Sequence, residues 1–137
     1  MKKYILIAGV NGAGKSTLFQ TLESLKDMPR INTDEIAKSL GYRIELHYVG
    51  VASADIAKTR IAYRVSPGGH GIPAADVERR YTESFNRLRE IISLCDMVVL
   101  YDNTKNFNRF AIYQNGKLCN LSDTRPDWYN NLNLSTE

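Results

Sequence analysis

The chain has 137 residues, enough for one domain around a single core, and its 43% hydrophobic and 24% charged residues exclude disordered and fibrous classes. A net charge of only +3, with bases and acids interspersed, fits an anionic small-molecule ligand and is too weak to argue for nucleic acid, so no nucleic-acid partner is expected. Two isolated cysteines, Cys95 and Cys119, form no CxxC pair and read as free thiols in a reducing compartment rather than a zinc site.

The apolar run after Met1-Lys2-Lys3 stops at Gly9, short of the roughly 7–15 residues of a secretory core. No run reaches the roughly 18 residues of a membrane span, so the expected location is cytoplasmic. Tyr4 to Ala8 instead predicts a strand buried on both faces of a parallel sheet. Lys15 to Lys26 predicts a helix with Leu18, Phe19, Leu22 and Leu25 on one face, closed by Pro29. Arg30 to Thr33 is a short strand candidate and Asp34 to Leu40 a short helix. Arg43 to Val51 predicts a strand with Ile44, Leu46 and Tyr48 on one face.

Ser53 is placed to cap a helix running to about Val65. A breaker-rich loop, Ser66 to Pro73, separates it from a long helix to about Leu94, with Pro73 in the first turn. Met97 to Tyr101 is another buried strand. Phe110 to Leu118, turning on Asn115-Gly116, is a hairpin. The polar tail from Ser122, with one Trp, gives little signal. Alternation of strand and helix predicts an α/β domain over 1–137, a parallel sheet flanked by helices, with a lid at about 60–80 and a C-terminal hairpin at about 109–121.

Gly9-Val10-Asn11-Gly12-Ala13-Gly14-Lys15-Ser16, followed by Thr17, fits GxxxxGK[ST] without a mismatch, after a strand and before a helix. The glycines (Gly9, Gly12, Gly14) let consecutive N–H groups of the loop, those of Asn11 and Ala13 included, turn inward on phosphates. The following helix adds its positive end. Lys15 then reaches the β- and γ-phosphates, and the Ser16 hydroxyl is the Mg²⁺ ligand.

Transfer of that phosphate requires a carboxylate and cations as well. Asp34 follows a strand candidate, where ligands collect in α/β sheets, yet "NTDE" equally suits a helix cap. Asp102 superficially resembles a Walker B acid, and a turn-forming "YDN" is the preferred reading. At 100° per residue, Arg60 and Arg64 share one flank of the first lid helix. Arg80 falls at the edge of the apolar face of the second, while Arg79 points away into solvent. Arg60, Arg64 and Arg80 therefore either converge on the glycine loop between the helices, as lid cations do, or form weak ion pairs on solvated flanks. His70, in "GGHG", is either an idle loop side chain or a contact to an anionic ligand. His47, mid-strand, reads as structural.

The glycine loop, Asp34, "GYRIELHYVGV", and the string Arg60, Arg64, "GGHGIP", Arg80-Tyr81 with "LYDNT" resemble the zeta-toxin-like P-loop kinases, over most of residues 1–121. The closer resemblance is to the bacterial subgroup described as predicted ABC-type ATPase or zeta toxin family protein. That resemblance implies a kinase that uses ATP or GTP with Mg²⁺ to phosphorylate UDP-N-acetylglucosamine, and that a small antitoxin protein blocks. It makes Asp34 the counterpart of the base on the sugar hydroxyl, and matches Arg60, with His70 or Arg64, to the lid cations. In the family a further strand-bearing segment, which holds the sugar nucleotide, precedes the "GY…YVG" strand. Here "TDEIAKSL" runs directly into "GYRIELHYVG", with nothing between Leu40 and Gly41.

Overall fold

The computed structural model describes residues 3–9, 13, 41–65, 73–132 and 134. The helices expected at 15–26 and 34–40, the strand at 30–33 and the loop 66–72 lie outside them. Among the described residues, five strands form one sheet in the order β1 (Lys3–Ala8), β2 (Arg43–Gly50), β3 (Met97–Asp102), β4 (Asn108–Gln114), β5 (Lys117–Leu121). β1, β2 and β3 run parallel, whereas β4 and β5 are antiparallel additions. The sheet is therefore mixed rather than purely parallel, because the hairpin joins it instead of standing apart. The hairpin turns where expected: Asn115 (φ 52°) and Gly116 (φ 79°) take the left-handed conformations of a two-residue turn, pairing Gln114 with Lys117.

β2 lies between β1 and β3, and all of its residues after Arg43 are buried. Its even positions Ile44, Leu46 and Tyr48 join Val98 and Leu100 on one core, as the alternation predicts. Val49 and Val51 join Val99 and Tyr101 in a second core. Two helices lead from β2 to β3. α1 (Ala54–Val65) is capped by Ser53, whose Oγ accepts from the Ile56 N–H at 3.3 Å, and it buries Ala57 and Ile61 in the second core. α2 (Ala74–Ile91) places Val77 in the second core and Leu88 in the first, so it crosses from one face of the sheet to the other. Pro73 stands one residue outside α2, at ψ 140°, rather than in its first turn. The last turn, Ile92–Leu94, tightens to a 3₁₀ geometry.

A short helix, α3 (Asp127–Asn131), was not legible in the tail. It buries Trp128 and Tyr129, with Leu132 following. Trp128 stacks on Phe85 with ring centres 5.3 Å apart, and meets Phe110 edge-on at 5.3 Å. The Tyr129 hydroxyl shares a hydrogen bond with that of Tyr113. Cys95 is buried and Cys119 exposed, and neither is in a disulfide. No helix among the described residues is long and apolar enough to cross a membrane.

Candidate functional site

The carboxyl ends of β1, β2 and β3 lie side by side, which is where open α/β sheets receive ligands. The glycine loop leaves this edge directly from β1. Gly9 has φ +145°, and a Cβ there would lie 2.4 Å from the Val49 carbonyl oxygen of β2. Only glycine permits both the backbone conformation and that approach. Ala13, further along the loop, is fully buried in the second core.

A second tie comes from the segment after β3. The Asn103 side-chain amide donates to the Ala13 carbonyl at 3.0 Å, and the Asn103 N–H donates to the Gly50 carbonyl at 2.9 Å. Arg60 of α1 donates through Nη2 to the carbonyls of Asn103 (2.5 Å) and Thr104 (3.1 Å). The Thr104 hydroxyl accepts from the Ala52 N–H at 3.0 Å and donates to Asp102 Oδ1 at 2.7 Å. Backbone groups at the ends of three elements are thus satisfied by side chains of their neighbours, as buried polar groups require.

Of the residues singled out in the sequence, the structure brings Ala13 and Arg60 together on Asn103 and sets Gly9 against the Val49 carbonyl. Arg60 is turned toward the carbonyls of the β3 segment. Arg64 belongs to α1, and Arg80 is exposed on α2. Asn11, Gly12, Gly14, Lys15, Ser16, Thr17, Asp34 and His70 lie outside the described residues. Arg79 pairs on the surface with Asp76 and Glu83, as its outward position predicts. Lys58 of α1 pairs with Glu78 of α2, tying the two helices together.

Asp102 serves its own chain: Oδ1 takes the Trp128 indole N–H at 3.0 Å as well as the Thr104 hydroxyl. Asp102 is the last residue of β3 rather than part of a turn, and its carboxylate anchors α3. The Tyr81 hydroxyl donates to the Val51 carbonyl at 2.8 Å, and burial, then the nearby Asp102 charge, raise its pKa. His47 is buried within hydrogen-bond distance of the Tyr101 hydroxyl (Nδ1, 2.9 Å) and 3.9 Å from Glu45, a structural arrangement away from this edge. Sequence reasoning missed Asn103, Thr104 and Trp128. The polar "DNT" directly after a buried strand was the available signal for the first two.

No protein-family model matches the chain, and no curated protein does. Among solved structures the chain is similar to one in the crystal structure of AvrRxo1-ORF1:AvrRxo1-ORF2 with sulphate ions, with a TM-score of 0.55 at 10% identity. The match covers 100% of this chain and 66% of that one, so this chain spans just under two thirds of its neighbour's length. At that identity the likeness is one of fold: an α/β arrangement of a mixed sheet flanked by helices.

Proposed function

We propose that the chain is a P-loop phosphotransferase, which binds ATP or GTP with Mg²⁺ through residues 9–17 and phosphorylates a small acceptor of the sugar-nucleotide kind, such as UDP-N-acetylglucosamine. The observation that carries this reading is the start of the glycine loop. An unbroken GxxxxGK[ST] leaves the carboxyl edge of a parallel strand, and its first glycine is held where no side chain fits. Those residues suit a phosphate cradle, in which Lys15 would pair with phosphate oxygens and Ser16 would ligate Mg²⁺. When bound, the metal supplies charge neutralisation on the phosphates. Asp34 is the proposed base, and Arg60 and Arg64, with His70 and Arg80, are the proposed lid groups. A small antitoxin-like protein is the proposed partner; the structural neighbour is likewise recorded as a complex of two gene products.

A second reading is a nucleotide-binding protein without turnover, or one whose acceptor is water. It is favoured by the sheet, in which β1 borders only β2 among the described residues, and by the direct junction of Leu40 with Gly41. The test is incubation with ATP, Mg²⁺ and UDP-N-acetylglucosamine, followed by mass analysis of the sugar nucleotide. Phosphorylated product from the wild type, abolished by Lys15→Ala and by Asp34→Ala, supports the kinase. Product that survives Asp34→Ala removes the base assignment, and nucleotide binding with no product on any sugar supports the second reading.

A further inference from the structure

The segment after β3 meets the glycine loop at Ala13. That residue is fully buried, so water does not reach its carbonyl, and the Asn103 side-chain amide donates to it at 3.0 Å. A buried carbonyl that loses its donor is not rescued by solvent, so the loop depends on this contact.

Asn103 is itself held at both ends of its backbone. Its N–H donates to the Gly50 carbonyl of β2 at 2.9 Å, and its carbonyl accepts from Arg60 Nη2 of α1 at 2.5 Å. The same Nη2 reaches the Thr104 carbonyl at 3.1 Å and so fixes the next peptide as well. The amide is therefore aimed at Ala13 from a backbone tied to β2 and to α1. Gly9 closes the arrangement from the other side. A Cβ there would lie 2.4 Å from the Val49 carbonyl oxygen and 3.5 Å from the Ala13 Cβ. Both described residues of the loop are thus set by elements that do not belong to it.

We propose that Asn103 is a positioning residue for phosphate binding: by holding the Ala13 carbonyl it sets the loop before the ligand arrives. This rests on the phosphate-cradle reading above and adds to it a residue from outside 9–17. A phosphate cradle works through backbone N–H groups aimed at the anion. In a trans peptide the N–H points opposite to the C=O, so whatever grips a carbonyl also sets the direction of the N–H in the same peptide. For Ala13 that N–H belongs to the next residue of the GxxxxGK[ST] string. Glycine makes such a loop costly to order, and a donor already in place removes part of that cost from binding. An amide suits the task where a carboxylate does not, because only the amide can donate to a carbonyl. Asn103 acts through the loop and not on the phosphates.

The test is calorimetric titration of the full chain with inorganic tripolyphosphate in Mg²⁺, a probe with neither base nor sugar. The proteins compared are the wild type, Asn103→Ala, Asn103→Leu, Lys15→Ala and Tyr129→Phe. Asn103→Ala removes the donor without adding bulk, Asn103→Leu replaces it with an apolar chain of similar size, and neither adds a charge. Tyr129→Phe deletes a different buried hydrogen bond, the one to Tyr113 in the other core. The near-UV dichroism of the single tryptophan selects the variants that keep the fold. Both Asn103 variants should bind about tenfold more weakly than the wild type, as the loss of one buried hydrogen bond implies. Tyr129→Phe should bind as the wild type does, although it is less stable. Wild-type affinity in a folded Asn103 variant, with Lys15→Ala weakened, overturns the positioning role and leaves the cradle standing. A loss in Tyr129→Phe equal to that in the Asn103 variants reduces Asn103 to a general stabiliser and also overturns the role. No binding by the wild type, or equal binding by Lys15→Ala, overturns the cradle and the positioning role with it.

Discussion

His47 is a titratable side chain in the middle of β2, a strand paired on both sides, and its surroundings give its titration a sign. Burial holds its pKa below the usual 6.5, and Glu45, the opposing influence, does not reverse this. The charge on Glu45 is shared with Lys3 (3.4 Å) and Arg43 (3.6 Å), which weakens its call on the imidazole. Below 6.5 the unfolded chain takes up a proton that the folded chain resists, so stability is full above that pH and falls as pH drops toward the lowered folded value. Urea midpoints measured at about pH 7.5 and pH 5.5 should separate more in the wild type than in His47→Gln. An equal separation in both proteins would show that His47 does not titrate in this window.

At the scale of elements, α3 depends on one absent methyl group. A Cβ on Gly50 would lie 2.4 Å from Cζ2 and 2.6 Å from Cε2 of the Trp128 indole. Gly50→Ala should therefore displace Trp128 from its stack on Phe85 and destabilise the fold by about 1–3 kcal/mol. Chemical denaturation and the near-UV dichroism of Trp128 report the two effects, and unchanged values in the variant would contradict this packing. The same contact explains what was legible in the sequence and what was not. β2 was legible because its alternation of Ile44, Leu46 and Tyr48 is a local pattern, and α1 because Ser53 caps its own helix. The turn at Asn115-Gly116 was legible because its backbone demands those residues. α3 was not, because five residues in a polar tail fold only where Gly50, Phe85 and Asp102 wait for a tryptophan. Asn103 was missed for the same reason: its partner, Ala13, is 90 residues away. Pro73 was misplaced by one position because cap and first-turn prolines share the same φ range, and only ψ separates them.

For the molecule as a whole, the three parallel strands among the described residues present a common edge, and the hairpin and α3 extend the sheet and cover one core beside it. α2 passes from one core to the other, and its Tyr81 hydroxyl holds the end of β2 at Val51. The start of the glycine loop and the segment after β3 share one end of the molecule. The central claim is that this end holds phosphate through residues 9–17. Thermal unfolding in Mg²⁺ with inorganic tripolyphosphate, which has no base, isolates that claim from the choice of nucleotide. At a hundredfold excess over its dissociation constant a ligand adds about 2.7 kcal/mol of stability. The wild type should therefore gain at least about 5 °C in Tm, and Lys15→Ala should lose most of that gain. No shift in the wild type, or an equal shift in Lys15→Ala, would contradict the account.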